Sequence, residues 1–364
     1  MGTGGDSQGR LGIGGLLDLL DGPSDVQIVD VREPDEYRDW SIPGAHNIPL
    51  GALGGRVGEI GPGLIVTVCA KGSRAEEASR VLFEHGRDSL VLEGGMTAWA
   101  GAYDDVAITI GDATVVQIRR RGKGCLSYVI GAGTSCLVID PSLDIERTLA
   151  VARARGWRVS HVADTHLHAD HLSGAVLLAE TTGATLLGGA PPRDGAAGIE
   201  FKLSADSDAV VHALATPGHT VGSTTFALGD QALFTGDALF IESVGRPDLA
   251  EQARQFAADL FSSIHDVILA RPDDAIVFPA HFGPSVPVVA GVPVAATLGE
   301  LRSTLPALEM DEETFIGWAA SRATKRPPNY VEIVETNAAG ARVDDQDRSS
   351  LELGPNRCAV DAPS

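Results

Sequence analysis

Long apolar runs are missing from this chain of 364 residues. None approaches the roughly 18 to 20 residues that a helix needs to span a bilayer. Residues 1–15 are rich in glycine and lack both the basic and the apolar parts of a signal peptide. We therefore expect a flexible leader over residues 1–15, no membrane segment and a cytoplasmic protein.

Basic residues and cysteines are also scarce. Lys and Arg number 28 against 49 Asp and Glu, a formal net charge of -21, and such a surface repels nucleic-acid phosphates and anionic membranes. The cysteines form no CxxC pair, so in a reducing compartment we expect free thiols. We interpret Cys125 and Cys136 as core residues near strands rather than reactive ones, and Cys358 as a passive residue of the C-terminal tail.

The chain does contain a dense cluster of metal-binding side chains. Residues 165–171 hold three imidazoles and a carboxylate, which are typical metal ligands. The preceding residues 157–163 predict a buried strand, and the apolar spacing from Leu172 predicts a helix. We therefore expect the ligands on a strand-to-helix loop. The candidates are His166, His168, Asp170 and His171.

Three further candidates follow along the chain, each at the end of an apolar strand-like run. They are His219, Asp237 and His281. Seven candidates in this order resemble the metallo-β-lactamase superfamily from about residue 106 onward. That resemblance implies a four-layered αββα sandwich with the metal at its edge.

The first part of the chain alternates strands with helices, which predicts a parallel sheet covered on both faces. The strand over residues 64–68 delivers Cys69 to a six-residue loop ending at Arg74. Successive backbone N–H groups of such a loop can point at the sulfur. Together with Lys71, Arg74 and the dipole of the next helix, they would stabilise a thiolate or an anionic persulfide.

This region resembles a rhodanese, or sulfurtransferase, domain over residues 16–103. The matching segments are DVREPDEY, SIPGAHNIPL, CAKGSR and GGMTAW. A six-residue loop suits sulfur transfer in that family. The resemblance implies that Cys69, Lys71 and Arg74 are catalytic, with thiosulfate or sulfite as reactants.

The metal motif leaves two chemistries open. In a thioester hydrolase similar to glyoxalase II, all seven groups hold two metals, expected to be zinc, and Asp237 bridges them. In the persulfide dioxygenases, which this region resembles more closely, one Fe(II) per chain is held by His166, His219 and Asp237. That set of two imidazoles and one carboxylate leaves open positions for a persulfide sulfur and O2. The remaining four groups then orient ligands or bind a second metal: His168, Asp170, His171 and His281.

Several segments favour the dioxygenase. Residues 243–249, 327–333 and 353–359 resemble persulfide dioxygenases, including those fused to rhodanese domains. Within the first segment, Arg246 is a candidate for binding an anionic substrate. One departure is Phe282-Gly283, where the family has Asp-Tyr on the substrate side of the site.

We therefore expect a bifunctional α/β enzyme of sulfur metabolism. A rhodanese domain over residues 16–103 precedes a dioxygenase domain over residues 106–364 with a C-terminal extension. The expected reaction is oxidation of a small thiol persulfide, such as glutathione persulfide, to sulfite, coupled to transfer of sulfane sulfur at Cys69. The alternatives are the hydrolase and a non-catalytic persulfide carrier or sensor. The sequence is also compatible with a homo-oligomer.

Overall fold

The computed structural model describes residues 9–188, 199–247, 252–322, 329–340, 343–344 and 350–356. Contacts divide the chain into two compact units. The first runs up to Asp104 and includes the segments Arg120–Lys123 and Leu353–Pro355, and the second contains the rest. Cys358 and residues 1–8 of the expected leader lie outside the described residues.

The first unit alternates strands and helices. Its strands are β1 (Gly9–Leu11), β2 (Val26–Asp30), β3 (His46–Asn47), β4 (Leu64–Val68) and β5 (Ser89–Leu92). Its helices are α1 (Ile13–Asp21), α2 (Pro34–Asp39), α3 (Leu50–Arg56), α4 (Ser73–Glu84) and α5 (Gly95–Ala100). The strands form one sheet in the order β1-β5-β4-β2-β3, and every pair is parallel.

Both faces of this sheet are buried. On β4, Ile65 packs into a cluster with Leu82 of α4. Val66, the next residue, packs on the opposite face with Leu16 of α1 and Trp99 of α5. Because neighbouring side chains of a strand point to opposite faces, both faces need a covering layer. The predicted parallel sheet covered on both faces is confirmed.

The start of the chain is more ordered than expected from its composition. Gly9–Leu11 pairs in parallel with Leu90–Leu92 as an edge strand, and α1 begins at Ile13. The flexible leader predicted over residues 1–15 is therefore wrong for residues 9–15. Their glycines did not prevent a strand and a helix because the apolar side chains between them, including Leu11, pack against the core.

The second unit contains two six-stranded sheets. The first sheet consists of β6 (Tyr103–Ile110), β7 (Ala113–Arg120), β8 (Cys125–Ala132), β9 (Ser135–Ile139), β10 (Arg158–Ala163) and β11 (Thr185–Leu187). The second consists of β12 (Glu200–Lys202), β13 (Val210–Ala215), β14 (Thr224–Leu228), β15 (Ala232–Gly236), β16 (Ile276–Pro279) and β17 (Ala296–Thr297). The helices are α6 (Ile145–Ala154), α7 (Ala175–Thr182), α8 (Ala253–Ser262), α9 (Leu298–Thr304), α10 (Glu312–Ser321) and α11 (Tyr330–Ala339).

The two sheets pack face to face. Tyr128 of the first sheet contacts Phe234 and Phe278 of the second, with ring centroids 4.9 and 5.6 Å apart. Helices α6 and α7 pack on β10, and α8, α9 and α10 cover the far side of the second sheet. This is the predicted αββα sandwich. No helix among the described residues is long and apolar enough to cross a bilayer.

The candidate ligands sit on loops that follow strand ends. Strands β13, β15 and β16 run in the same direction, because β14 is antiparallel to both β13 and β15 and β16 is parallel to β15. Their carboxyl ends therefore meet at one edge of the sheet. The loop between β10 and α7 carries the other ligands. Helix α7 starts at Ala175 rather than at the predicted Leu172, since the Leu172 and Ser173 amides donate to the side chains of Glu352 and Asn337.

Candidate metal centre and cysteine loop

Three of the predicted ligands converge on one point. His166 Nε2 lies 3.6 Å from Asp237 Oδ2, and His219 Nε2 lies 3.5 Å from the same oxygen. The ligand atoms of all three lie within 4.8 Å of one another, and all three residues are buried. These are the three residues that the resemblance to persulfide dioxygenases implied as the metal ligands.

Hydrogen bonds leave the converging atoms of both histidines available to an ion. His219 Nδ1 donates to the Arg246 carbonyl at 2.9 Å, so in the neutral ring Nε2 carries the lone pair. The Thr165 hydroxyl donates to Asp140 Oδ2 and lies 2.9 Å from His166 Nδ1, which makes that nitrogen the donor of the pair. Within the described part of the chain, His166 Nε2 and Asp237 Oδ2 are buried without a hydrogen-bond partner. Buried polar atoms of this kind call for a ligand, and a cation fits them.

The electrostatics agree with a cation site. Burial lowers the pKa of His166 well below its usual value and keeps the ring neutral. Burial opposes ionisation of Asp237, but His281, whose Nδ1 lies 2.6 Å from Oδ1, holds the pKa of that carboxyl below its usual range. The site therefore presents the neutral His166 imidazole and the Asp237 carboxylate, the forms that bind metals.

His168 belongs to a different group. Its Nε2 lies 3.0 Å from Asp140 Oδ1 and 4.0 Å from Asp164 Oδ1. Asp140 also accepts the Thr165 amide at 2.6 Å and has a left-handed backbone with φ of 51°. Asp140 thus organises the start of the metal loop and occupies His168 Nε2. The His168 ring lies 4.2 Å from the His166 ring, and its Nδ1 is buried without a hydrogen-bond partner among the described residues. Burial raises the pKa of Asp164 to about 6.

The other predicted ligands form a second cluster that includes an unexpected cysteine. Its members are Cys125, Asp170, His171 and His281, whose ligand atoms lie within 4.8 Å of one another. Asp170 is central, because its carboxylate lies 3.4 Å from Cys125 Sγ, 3.2 Å from His171 Nδ1 and 3.0 Å from His281 Nε2. The Nδ1 of His281 faces Asp237 Oδ1 at 2.6 Å. One imidazole therefore connects the two clusters.

Opposite charges within this second cluster stabilise each other's ionised forms. Burial alone would lower the pKa of His171, but the Asp170 carboxylate raises it to about 10. Burial also opposes the ionised form of Asp170, while His281 and His171 hold its pKa well below the usual value. For Cys125, burial and Asp170 oppose ionisation, but His281 and hydrogen bonds from both histidines lower the thiol pKa.

Two residues at the site were not predicted from sequence. Cys125 is buried, as expected, but its place beside Asp170 follows from a bridge between Cys125 and His281 that joins distant strands. Glu242 accepts the Gly283 amide at 2.6 Å, and burial raises the pKa of its carboxyl. It therefore lies beside the Phe282-Gly283 departure. Arg246 is buried and supplies a backbone acceptor, while substrate binding by its side chain stays a prediction.

The cysteine loop of the first unit has the curled form that the sequence suggested. The Gly72 amide donates to Cys69 Sγ at 3.0 Å, and Gly72 has φ of 120°, which favours glycine. Gly95 of the GGMTAW segment packs closely against the backbone of this loop. A Cβ at Gly95 would lie 2.0 Å from the Cys69 carbonyl oxygen, so only glycine fits there.

The two basic residues of this loop differ in their surroundings. Arg74 forms a two-pronged salt bridge with Glu36, at 2.7 and 2.8 Å. Hydrogen bonding from Arg74 lowers the pKa of Glu36 to about 2. Arg74 is thus fixed by a carboxylate, whereas Lys71 is exposed. Their catalytic roles stay predictions.

Family comparisons match both units. Residues 15–102 match the rhodanese-like domain, and residues 120–193 and 188–281 match the metallo-beta-lactamase superfamily. The human mitochondrial persulfide dioxygenase ETHE1 is 32% identical over 203 residues, which cover 52% of this chain and 74% of that protein. A hydroxyacylglutathione hydrolase from Polaromonas is 33% identical over 153 residues, 40% of this chain and 56% of the hydrolase.

A solved structure matches the same region. The crystal structure of ETHE1 from Myxococcus xanthus aligns with a TM-score of 0.52 and 27% identity. The alignment covers 66% of this chain and all of the bacterial protein.

Proposed function

We propose that this chain, which belongs to the ETHE1 persulfide dioxygenase family and carries a rhodanese-like domain over residues 15–102, is a bifunctional sulfur-metabolism enzyme. The larger unit oxidises a small thiol persulfide, such as glutathione persulfide, with O2 and water to sulfite and the thiol. The cysteine loop transfers sulfane sulfur between thiosulfate or sulfite and a thiol.

The observation that carries the dioxygenase proposal is the three-ligand set of His166, His219 and Asp237. His168 lies outside this set, since its Nε2 is hydrogen-bonded to Asp140. Two histidines and one carboxylate are the donor set associated with non-haem Fe(II), which when bound supplies adjacent open positions for a sulfur and O2. We propose one Fe(II) per chain at these residues.

Residues around the ligands have orienting roles in this proposal. The Arg246 carbonyl fixes the tautomer of His219, and Thr165 does the same for His166. His281 holds Asp237 through a contact of 2.6 Å. Outer contacts of this kind keep ligand atoms aimed at the ion and shape its affinity. The buried setting of all three ligands also limits the access of bulk water.

The sulfurtransferase proposal rests on the Cys69 loop. The Cys69 thiolate attacks the sulfane sulfur of thiosulfate, the S–S bond of thiosulfate breaks, and sulfite leaves. A thiol then attacks the outer sulfur of the Cys69 persulfide and departs as a new persulfide, which restores Cys69. The Gly72 amide stabilises negative charge on Cys69 Sγ, and the fixed charge of Arg74 adds to the local positive potential.

Oxygen uptake with a supplied persulfide tests the dioxygenase. Protein loaded with iron under anaerobic conditions would receive glutathione persulfide, with sulfite and metal content measured on the same sample. We expect about one iron per chain and sulfite formed as oxygen is consumed. A His219→Ala variant taken through the same iron-loading procedure is the control and should consume no oxygen above background.

The same sample distinguishes the hydrolase. Two zinc ions per chain, no oxygen uptake and hydrolysis of a glutathione thioester would overturn the dioxygenase proposal. Sulfur binding at Cys69 without turnover at either unit would instead support a persulfide carrier or sensor.

A further inference from the structure

The Asn337 side chain is the point at which helix α11 meets the metal loop between β10 and α7. Its Nδ2 donates to the carbonyl oxygens of His168 and His171, each at 2.9 Å, and its Oδ1 accepts the Ser173 amide at 2.9 Å. An asparagine amide offers two N–H donors and one oxygen. Both donors and the oxygen of Asn337 are therefore engaged with the backbone of a single turn, residues 168–173.

That turn depends on side chains from elsewhere in the chain. Between Ala163, where β10 ends, and Ala175, where α7 begins, the backbone forms neither a helix nor a strand. Buried backbone groups outside regular structure need other partners. Asn337 supplies partners for three such groups, and Glu352 supplies one for a fourth by accepting the Leu172 amide at 2.7 Å. The C-terminal part of the chain thus holds the turn in place.

The turn carries groups that contact the proposed metal ligands. Asp170 lies within it, and its carboxylate lies 3.0 Å from His281 Nε2. The other ring nitrogen of His281, Nδ1, lies 2.6 Å from Oδ1 of the ligand Asp237. The ligand His166 stands two residues before the turn begins. A shift of the turn would therefore move the groups that hold Asp237 and the backbone that carries His166.

We propose that Asn337 is a positioning residue of the metal centre. It fixes the turn over residues 168–173, and through that turn it keeps the ligand atoms of His166 and Asp237 at the spacing that an ion requires. Supporting contacts of this kind commonly orient metal ligands. The inference rests on the proposed metal centre but not on the reaction that takes place there. Because the coupling between two sites is reciprocal, a bound metal should in turn stabilise the attachment of α11.

Two variants test the role of the amide. Asn337→Ala removes all three hydrogen bonds, whereas Asn337→Asp keeps the shape of the side chain and places a carboxylate oxygen against the two carbonyl oxygens. Iron(II) affinity would be measured anaerobically by competition with a coloured chelator. Loss of outer contacts typically weakens metal binding roughly 10 to 100-fold, so we expect a loss of about 10-fold in each variant.

Asn47→Ala is the matched control, because Asn47 Nδ2 also donates to two backbone carbonyls, those of Asp30 and Arg32, at 3.0 and 2.8 Å. These contacts lie in the first unit. Urea unfolding should show lower stability in all three variants. Iron affinity should fall only in the two Asn337 variants, and so should the match to wild type of the visible cobalt(II) spectrum, which reports ligand geometry. Wild-type affinity in both Asn337 variants, or an equal loss in Asn47→Ala, would overturn the proposal.

Hydrogen exchange of the wild type gives a second measurement that needs no variant. Iron(II) loading should slow exchange of the Ser173 amide and of the α11 amides by about the same 10-fold, while the amides of α4 in the first unit should be unaffected. Unchanged exchange in α11 of metal-loaded protein would refute the positioning role even if the variants failed to fold. A wild type that takes up no metal would instead refute the proposed centre and this inference with it, so the two failures are distinguishable.

Discussion

His168 Nε2 and Asp140 Oδ1 lie 3.0 Å apart, and this contact groups His168 Nε2 with Asp140 rather than with the converging atoms of His166, His219 and Asp237. The metal motif contains three imidazoles in sequence, but His166 alone among them joins His219 and Asp237. Asp140 also holds Thr165, which orients His166. One carboxylate thus holds both histidines, His168 directly and His166 through Thr165.

We predict that His168→Ala keeps the metal of the first centre, whereas His166→Ala loses it. The physical reason is that only His166 supplies an atom to the three-ligand set. Metal content after anaerobic iron loading and desalting measures the difference. We expect about one iron per chain in the first variant and almost none in the second.

Equal loss in the two variants would contradict this assignment and indicate that His168 is a ligand. Circular dichroism of both variants provides the folding control, because both histidines are buried.

Cys69→Ser should abolish sulfur transfer and leave the oxidation of supplied glutathione persulfide unchanged. The serine hydroxyl has no thiolate to attack sulfane sulfur at neutral pH. Sulfite release from thiosulfate in the presence of a thiol measures the transfer, and oxygen uptake measures the oxidation. Cys136→Ala should retain both activities. Loss of oxygen uptake in Cys69→Ser would show that the two reactions are not independent.

The Glu36–Arg74 salt bridge predicts a pH-dependent contribution to stability. Arg74 lowers the pKa of Glu36 from 4.5 to about 2. The folded state therefore favours the carboxylate, so the contribution is present above pH 4.5 and is lost as the pH falls towards 2. The pair is partly exposed, so we expect a small effect that salt screens.

Urea unfolding of wild type and Glu36→Gln, followed from pH 6 downward, checks this sign. The difference in unfolding free energy should shrink as the pH drops below 4.5. Glu77→Gln, at an exposed position on the same helix as Arg74, is the control and should follow wild type. A difference that grows on acidification would contradict the assigned sign.

Sequence patterns predicted most of the fold because they report burial directly. The apolar run at residues 64–68 became the central strand β4, and the ligands fell on loops after β10, β13, β15 and β16. These features depend on local periodicity and on strand direction, and both can be inferred from a single sequence. The grouping of His166, His219 and Asp237 came from family resemblance, and the geometry is compatible with it.

The remaining features depend on contacts between distant segments. An isolated β-bridge pairs Cys125 with His281, which lies 156 positions later in the sequence. Nothing near Cys125 in sequence marks it as a neighbour of Asp170. Glu242 likewise meets Gly283 through the fold alone. Residues 9–15 were misjudged because glycine content suggested flexibility, whereas β1 is stabilised by pairing with β5.

Gly95→Ala should destabilise the first unit and reduce sulfur transfer together. A Cβ there would lie 2.0 Å from the Cys69 carbonyl oxygen, and the backbone φ of 53° is unfavourable for alanine. The left-handed conformation costs roughly 1 to 2 kcal/mol, and displacing a backbone atom adds about 1 to 3 kcal/mol. Because the clash falls on the carbonyl of Cys69, the loop must shift with it. Urea unfolding and the thiosulfate assay measure the two effects.

Gly51→Ala provides the matched control, because Gly51 lies in α3, a Cβ there meets nothing within 4 Å, and its φ is not positive. Alanine in a helix is favoured over glycine by roughly 0.5 to 1 kcal/mol, so this variant should be as stable as wild type or slightly more so. Its sulfur transfer should be unchanged. If Gly95→Ala unfolded at the same urea concentration as Gly51→Ala and transferred sulfur normally, the Cys69 loop would not depend on support from Gly95.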